Sequence, residues 1–279
     1  EAPMQDLRDR VAVITGAGSG FGRELALCCA EEGMHLVLAD IDETGLKATQ
    51  ALLDIEADRV LAQRCNVADA AEVEALADAT WNRFGAAHLV FNNAGVAVAG
   101  PIWSATPEDW RWVLDVNVMG VVHGVRSFVP RMLAQGGPGH VVNTASVAGL
   151  LSVPASGVYC VSKHAVVTMS EVLHHDLRAE NAEIGVSVLC PAYVPTGIAD
   201  AARNRPADLA ASNPLAAEYE ARVRKAVASG RISAANVARM TMDAVKAGDF
   251  YILTHPKIKV AIEARMRDIL DQRLPTNPM

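Results

Sequence analysis

Seven short apolar runs recur along the chain, each separated from the next by a longer stretch with helical patterning. They are Val11–Thr15, His35–Ala39, Arg59–Arg64, His88–Asn92, His140–Ala145, Ile184–Cys190 and Phe250–Thr254. Rich in Val, Leu and Ile, they suit strands covered on both faces, as in a parallel sheet. Helices are expected over Gly20–Gly33, Asp42–Ala57, Asp69–Phe84, Thr106–Leu133, Ser156–Asn181 and Ser233–Lys246. Asp69 opens its helix and Gly85 closes it, while Thr106 caps the next with Pro107 in the first turn. Such strict alternation predicts an α/β architecture: a three-layer, doubly wound fold with a seven-stranded parallel sheet, in one domain over residues 1–279. One stretch breaks the rhythm. Residues 198–231 are Ala-rich and polar with no strand signal, and are expected to be a mobile lid inserted over the substrate. Residues 256–279 read as a C-terminal tail.

The formal charge of −7 and the absence of any Lys/Arg block argue against nucleic acid and anionic membranes as partners. No uncharged apolar run approaches the ~18 residues of a membrane span. Five cysteines with no CxxC spacing argue against a disulfide framework and for a reducing compartment. The polar start EAPMQDLRDR does not read as a signal peptide, so a soluble cytoplasmic protein is expected. The histidines form no HExxH and no Cys/His cluster. Glu171-x-x-His174 is a single copy of a spacing that di-iron sites use twice, so no catalytic metal is expected. Trp103, Trp110 and Trp112 are expected in core or subunit packing, with Trp103 alone a candidate substrate wall.

Between the first strand and its helix lies TGAGSGFG, Thr15–Gly22. Glycines let a backbone turn tightly and approach a pyrophosphate, and a helix N-terminus offers free N–H groups to it. A strict GxGxxG would place its third glycine on Phe21. The spacing that fits is TGxxxGxG: Thr15, Gly16, Gly20 and Gly22. Asp40 ends the second strand about twenty residues on, where a carboxylate can accept hydrogen bonds from an adenosine ribose.

Tyr159 and Lys163 stand one helical turn apart and share a face. Lysine is scarce here, with no other between Lys47 and Lys225. A free tyrosine has a pKa of ~10, and lowering it by about three units takes ~4 kcal/mol. A nearby ammonium can supply about that much at an effective dielectric near 20. The pair is therefore a candidate general acid/base for an alcohol proton. Cys160, next in sequence, points about 100° away on a helix and is read as packing.

Taken in order, TGAGSGFG, NNAG at Asn92–Gly95, Asn117 in DVNVMG, Ser146 in NTAS, YCVSK at Tyr159–Lys163 and CPAYVPT at Cys190–Thr196 resemble the short-chain dehydrogenase/reductase family in its single-domain form. The similarity runs from about Asp6 to Ile198, with weaker register to Phe250–Thr254. It implies a Rossmann fold and a hydride transfer between a nicotinamide and an alcohol carbon or its carbonyl. By that resemblance Tyr159 is the proton donor or acceptor, and Ser146 hydrogen-bonds the substrate oxygen. Lys163 lowers the Tyr159 pKa and binds the nicotinamide ribose, and Asn117 helps hold a water that relays protons to Lys163. The coenzyme is expected to meet Thr15, Gly16, Ser19, Gly20, Phe21 and Gly22, then Asp40, Ile41, Asn66 and Val67 on the adenine side. Asn93, Ala94, Gly95, Tyr159, Lys163, Pro191, Ala192, Val194 and Thr196 complete its site, Thr196 reaching the carboxamide. Two positions depart from the family: Pro191-Ala192 stands for its usual PG, and Asn66-Val67 for its Asp-Val.

Asp40 and the lack of a positive charge at Ser19, Ile41 and Asp42 predict NAD in preference to NADP. Arg64 on the next strand is the cation that could reverse this. The expected pocket walls, Val96–Val98, Ala148–Pro154 and Tyr193 with the insertion, are mostly apolar and suit a hydrophobic secondary alcohol or ketone. Resemblance also implies a homo-oligomer, tetramer or dimer, pairing the helices at Thr106–Leu133 and Ser156–Asn181. The alternative is a catalytically silent NAD(P)-binding regulatory protein on the same fold, which would be free to lose Asn117, Ser146, Tyr159 and Lys163.

Overall fold

The computed structural model describes residues 4–210 and 213–279. Each apolar run becomes a strand: β1 (Val11–Thr15), β2 (His35–Asp40), β3 (Val60–Arg64), β4 (Leu89–Asn92), β5 (Gly139–Thr144), β6 (Ile184–Leu189) and β7 (Tyr251–Ile252). They form one open, wholly parallel sheet in the order β3-β2-β1-β4-β5-β6-β7. The helices are α1 (Gly20–Glu31), α2 (Glu43–Gln50), α3 (Ala70–Phe84), α4 (Pro107–Leu114), α5 (Gly120–Gln135), α6 (Gly157–Ala179), α7 (Ala216–Ala228), α8 (Ala234–Ala247) and α9 (Ile258–Leu270).

Alternate strand residues feed two cores, because successive side chains leave opposite faces of a sheet. Ala12, Ile14, Leu36 and Leu38 pack with Leu25 of α1 and Val237 and Met242 of α8. Val11, Val13, Val37 and Val90 pack with Leu76 of α3, Phe128 of α5 and Leu177 of α6. Both faces are thus covered, which is why the strand runs are apolar throughout and not alternating. The fold is the expected α/β Rossmann-like architecture.

Four elements differ from the sequence expectation. The helix expected over Asp42–Ala57 stops at Gln50. Leu53 and Ile55, two residues apart, both pack on one core, which extended chain allows and helix does not. The long helix expected over Thr106–Leu133 is two helices joined by a π-helical turn, Asp115–Met119. That wider turn carries Asn117 inward, where Oδ1 accepts from Val96 N at 2.8 Å and Nδ2 donates to Val96 O and Ser162 Oγ. The last strand is two residues long, because the chain turns away at Thr254 to bring His255 against Ala192. Residues 256–279, read as a tail, contain the 13-residue helix α9.

Strand order reverses between β1 and β4, so the segments after these two strands diverge and leave a crevice. TGAGSGFG follows β1 and NNAG follows β4, which places both motifs at that crevice.

Candidate active site

A cavity of about 910 Å³ opens at the carboxyl ends of the strands. At its β1 edge the glycine loop is held by close backbone approach. Gly16 has φ +67°, and a Cβ there would stand 2.9 Å from the Ala94 Cα; a Cβ on Gly22 would stand 2.0 Å from the Gly16 carbonyl oxygen. No side chain fits at Gly22, so the N-terminus of α1 can sit directly against the loop. Asp40 faces the same turn. Its carboxylate accepts from Gly18 N at 2.8 Å and from Asp42 N at 2.9 Å. Both oxygens are therefore oriented by backbone donors.

The possible basic neighbours of Asp40 are committed elsewhere. Arg64 bonds Glu72 at 3.0 Å, and Arg23 donates to Thr49 Oγ1 and to the Gly18 carbonyl. Asn66 lines the cavity with its Oδ1 accepting from Ala68 N, an oxygen that serves the turn as an aspartate would.

Thr15 and Asn93 tie the central strand tips together. Thr15 Oγ1 donates to Phe91 O and accepts from Asn93 N and Ala94 N. Asn93 donates through Nδ2 to Thr15 O and accepts from Thr144 Oγ1. The strand ends that carry the loops are thereby cross-linked across β1, β4 and β5.

Ser146, Tyr159 and Lys163 also border the cavity. Ser146 Oγ accepts from Ala148 N at 3.1 Å and donates to the Pro191 carbonyl at 3.3 Å. Lys163 is 3 % exposed; its Nζ donates to Thr144 O at 2.8 Å and lies 5.6 Å from the centre of the Tyr159 ring. Burial pushes the Tyr159 hydroxyl up to about 12, with the Ser146 hydrogen bond pulling the other way, and burial brings Lys163 down to about 8. From the i,i+4 spacing alone, the Lys163 ammonium is expected to lower the tyrosine. In this geometry desolvation outweighs it, because Nζ is engaged with Thr144 and not with the phenol oxygen.

Of the residues expected at the coenzyme or the chemistry, Thr15, Gly22 and Asn117 do not line the cavity. They stand behind it, as strand-tip link, close-packed turn and π-turn anchor. The others do line it: Gly16, Ser19, Gly20, Phe21, Asp40, Ile41, Asn66, Val67, Asn93, Ala94, Gly95, Ser146, Tyr159, Lys163, Pro191, Ala192, Val194 and Thr196. Ala192 is absent from the positive-φ residues, so its methyl fits where the family has glycine. Its N–H donates to His255 Nδ1 at 3.2 Å.

His255 carried no sequence signal, since nothing in a linear pattern shows that β7 returns beside β6. Trp112, expected in packing, lines the cavity, whereas Trp103, the expected substrate wall, is 84 % exposed and does not. Over Trp112 sits the Arg205 guanidinium, 5.0 Å from the ring, paired with Asp109 at 2.7 Å and donating to Leu209 O. The insertion is thus fastened to α4 near its start, while Ile198–Asn204 and the α7 residues Glu220, Val223, Arg224 and Val227 border the cavity. Ala211 and Ser212, within the expected lid, lie outside the described residues. The Glu171-x-x-His174 pair is accounted for by packing: Glu171 accepts from the Tyr251 hydroxyl and His174 stacks edge-on against Phe250. Among the described residues no helix is long and apolar enough to cross a membrane.

Comparison with known proteins agrees with this geometry. Residues 10–207 match the family model described as short chain dehydrogenase. A short-chain dehydrogenase/reductase from Burkholderia phymatum, solved in complex with NAD, is 50 % identical, with 98 % of this chain and 99 % of that one covered and a TM-score of 0.95. The CLA biosynthesis dehydrogenase/reductase of Lactiplantibacillus plantarum is 35 % identical over 98 % of this chain and 97 % of its own length. The C alpha-dehydrogenase of a Sphingobium strain is 31 % identical over 98 % and 89 %. Sequence motifs, crevice and relatives converge, and this chain belongs to the short-chain dehydrogenase/reductase family of oxidoreductases.

Proposed function

We propose that this protein moves a hydride between NAD(H) and a hydrophobic secondary alcohol or its ketone, with Tyr159 as general acid/base. One observation carries the reading: Tyr159 and Ser146 border the same cavity as the glycine loop and the backbone-oriented Asp40. NAD fits the residues present. The glycine cradle has no room for side chains, and Asp40 offers a fixed acceptor on the ribose side. When bound, NAD supplies the hydride acceptor or donor. Ser146 would hold the substrate oxygen toward Tyr159, and Tyr159 would exchange its proton with that oxygen. Lys163 and Asn117 would act behind it, Lys163 at the ribose and Asn117 through its hold on Val96 and Ser162.

The walls support an apolar substrate. Val96, Val98, Trp112, Leu151, Val153 and Tyr193 border the cavity, and its basic residues other than Lys163 are Arg203 and Arg224. Arg224 is paired with Asp200, and Arg203 is folded onto the Gly197 and Asp200 carbonyls. Tyr159→Phe keeps the ring and deletes the proton. Turnover of secondary alcohols should fall at least ~10²-fold while NADH binding by fluorescence is retained. Near-parental turnover would reject the role.

Coenzyme preference follows from Asp40. A 2′-phosphate beside its fixed carboxylate meets like charge worth on the order of 1–4 kcal/mol, so kcat/KM should favour NAD over NADP by roughly 10- to 10³-fold. Asp40→Ala should narrow that ratio; a parent that prefers NADP contradicts the reading.

Residues 198–231 are proposed to act as a lid whose two arms close over substrate on either side of the Arg205–Asp109 anchor. Coenzyme plus substrate should slow proteolytic cutting in this stretch, and equal cutting with and without them counts against closure.

A homo-oligomer built on α5 and α6 is proposed as well. Val121 and Val166 belong to the core, so they are not available for such a contact. Val161 and Val172 are exposed on α6, eleven residues apart and so on one face. Light scattering at micromolar concentration should show a dimer or tetramer; a monomer overturns this.

A further inference from the structure

Two places remote in sequence from the glycine loop border the same cavity: Ile258, at the start of α9, and Pro278–Met279. At 1.5 Å per residue, the 13 residues of α9 span about 20 Å. A chain that meets the cavity at both points has to reverse after α9 and run back along it. The eight-residue stretch 272–279 reaches about 25 Å when extended, enough for that return.

The reversal is built and pinned. Gln272 takes φ 54°, the left-handed turn that ends helices, here without a glycine. Arg273 N donates to the Asp268 carbonyl at 2.8 Å, and Thr276 N donates to the Asp268 carboxylate at 2.8 Å. The Arg273 side chain adds an ion pair to the same carboxylate at 3.5 Å. Asp268 is 7 % exposed although it lies on a peripheral helix. Met279 N is held in turn by Asn277 Oδ1 at 3.0 Å. At the other end, the chain leading into α9 is tied to the segment after β6 by the Ala192–His255 hydrogen bond.

We infer that α9 and the returning segment form a wall of the substrate cavity, in which Met279 and Ile258 set the length of apolar substrate accepted and Asp268 positions the segment. The inference rests on the oxidoreductase reading above. Met279 is 75 % exposed, so replacing it disturbs no core packing. Its side chain alters the space beside the substrate.

The experiment measures kcat/KM with NAD for 2-butanol and 2-decanol in the parent and in Met279→Ala, Met279→Trp, Asp268→Ala and Asp268→Asn. The ratio of long to short alcohol should rise at least about threefold in Met279→Ala and fall by as much in Met279→Trp, a modest share of what one methylene group commands in an enclosed pocket. Asp268→Ala should shift as Met279→Ala does. Asp268→Asn still accepts from Thr276 N and should stay near the parent, which a general loss of stability would not reproduce. Ratios unchanged within twofold, or moved the same way by Ala and Trp, overturn the inference and leave the functional reading intact. If the parent oxidises neither alcohol, the substrate reading fails instead. The wall is then judged without turnover, by 1-anilinonaphthalene-8-sulfonate fluorescence titration. Weaker binding in Met279→Trp and tighter binding in Met279→Ala support it, and equal Kd values in all three proteins overturn it.

Discussion

Everything at the site depends on how closely the backbone approaches itself in the turn after β1. A Cβ on Gly22 would lie 2.0 Å from the Gly16 carbonyl oxygen, so the turn closes only when both positions lack side chains. Its closure sets the N-terminus of α1 over the crevice between β1 and β4, and it brings Gly18 N to the Asp40 carboxylate. A carboxylate at the tip of β2 thereby becomes part of the loop. The cavity inherits a fixed negative group on one side and free backbone donors on the other.

The strand tips are held to the same standard by side chains. Thr15, Asn93 and Thr144 form a short chain of hydrogen bonds across three neighbouring strands. Behind them, Asn117 joins the π-turn to Val96 and Ser162. Thr15 and Asn117 stand behind the cavity, whereas Asn93 and Thr144 also line it. They fix where Ser146, Tyr159 and Lys163 stand, and buried polar groups satisfied this fully resist displacement. The Tyr159 hydroxyl, pushed up by burial, is held neutral well above physiological pH in this surrounding.

The outer half of the cavity is assembled differently. It comes from segments with little strand or motif character: the insertion, α7, Ile258 and Pro278–Met279. Polar side chains fasten two of these segments. Arg205 with Asp109 holds the insertion to α4, and Asp268 holds the segment after α9. Motif-bearing loops thus line one part of the cavity, and these segments line another.

Local pattern sufficed wherever function needs a backbone property. The apolar runs specify a doubly covered parallel sheet. The glycine spacing specifies a close turn, and the Tyr159–Lys163 spacing places two side chains on one helical face. Each of these is a short-range consequence of residue type and period, so it survives reading without coordinates. What only the tertiary structure decided are meetings between distant segments. The π-turn that directs Asn117 exists because Val96 and Ser162 are there to receive it. His255 reaches Ala192 because β7 lies beside β6, and Trp112 lines the cavity with Arg205, distant in sequence, over its ring. Met279 reaches the cavity because Asp268 turns the chain back. No periodicity records such pairings, since each is fixed by the packing of elements against a common sheet and not by the sequence near either partner.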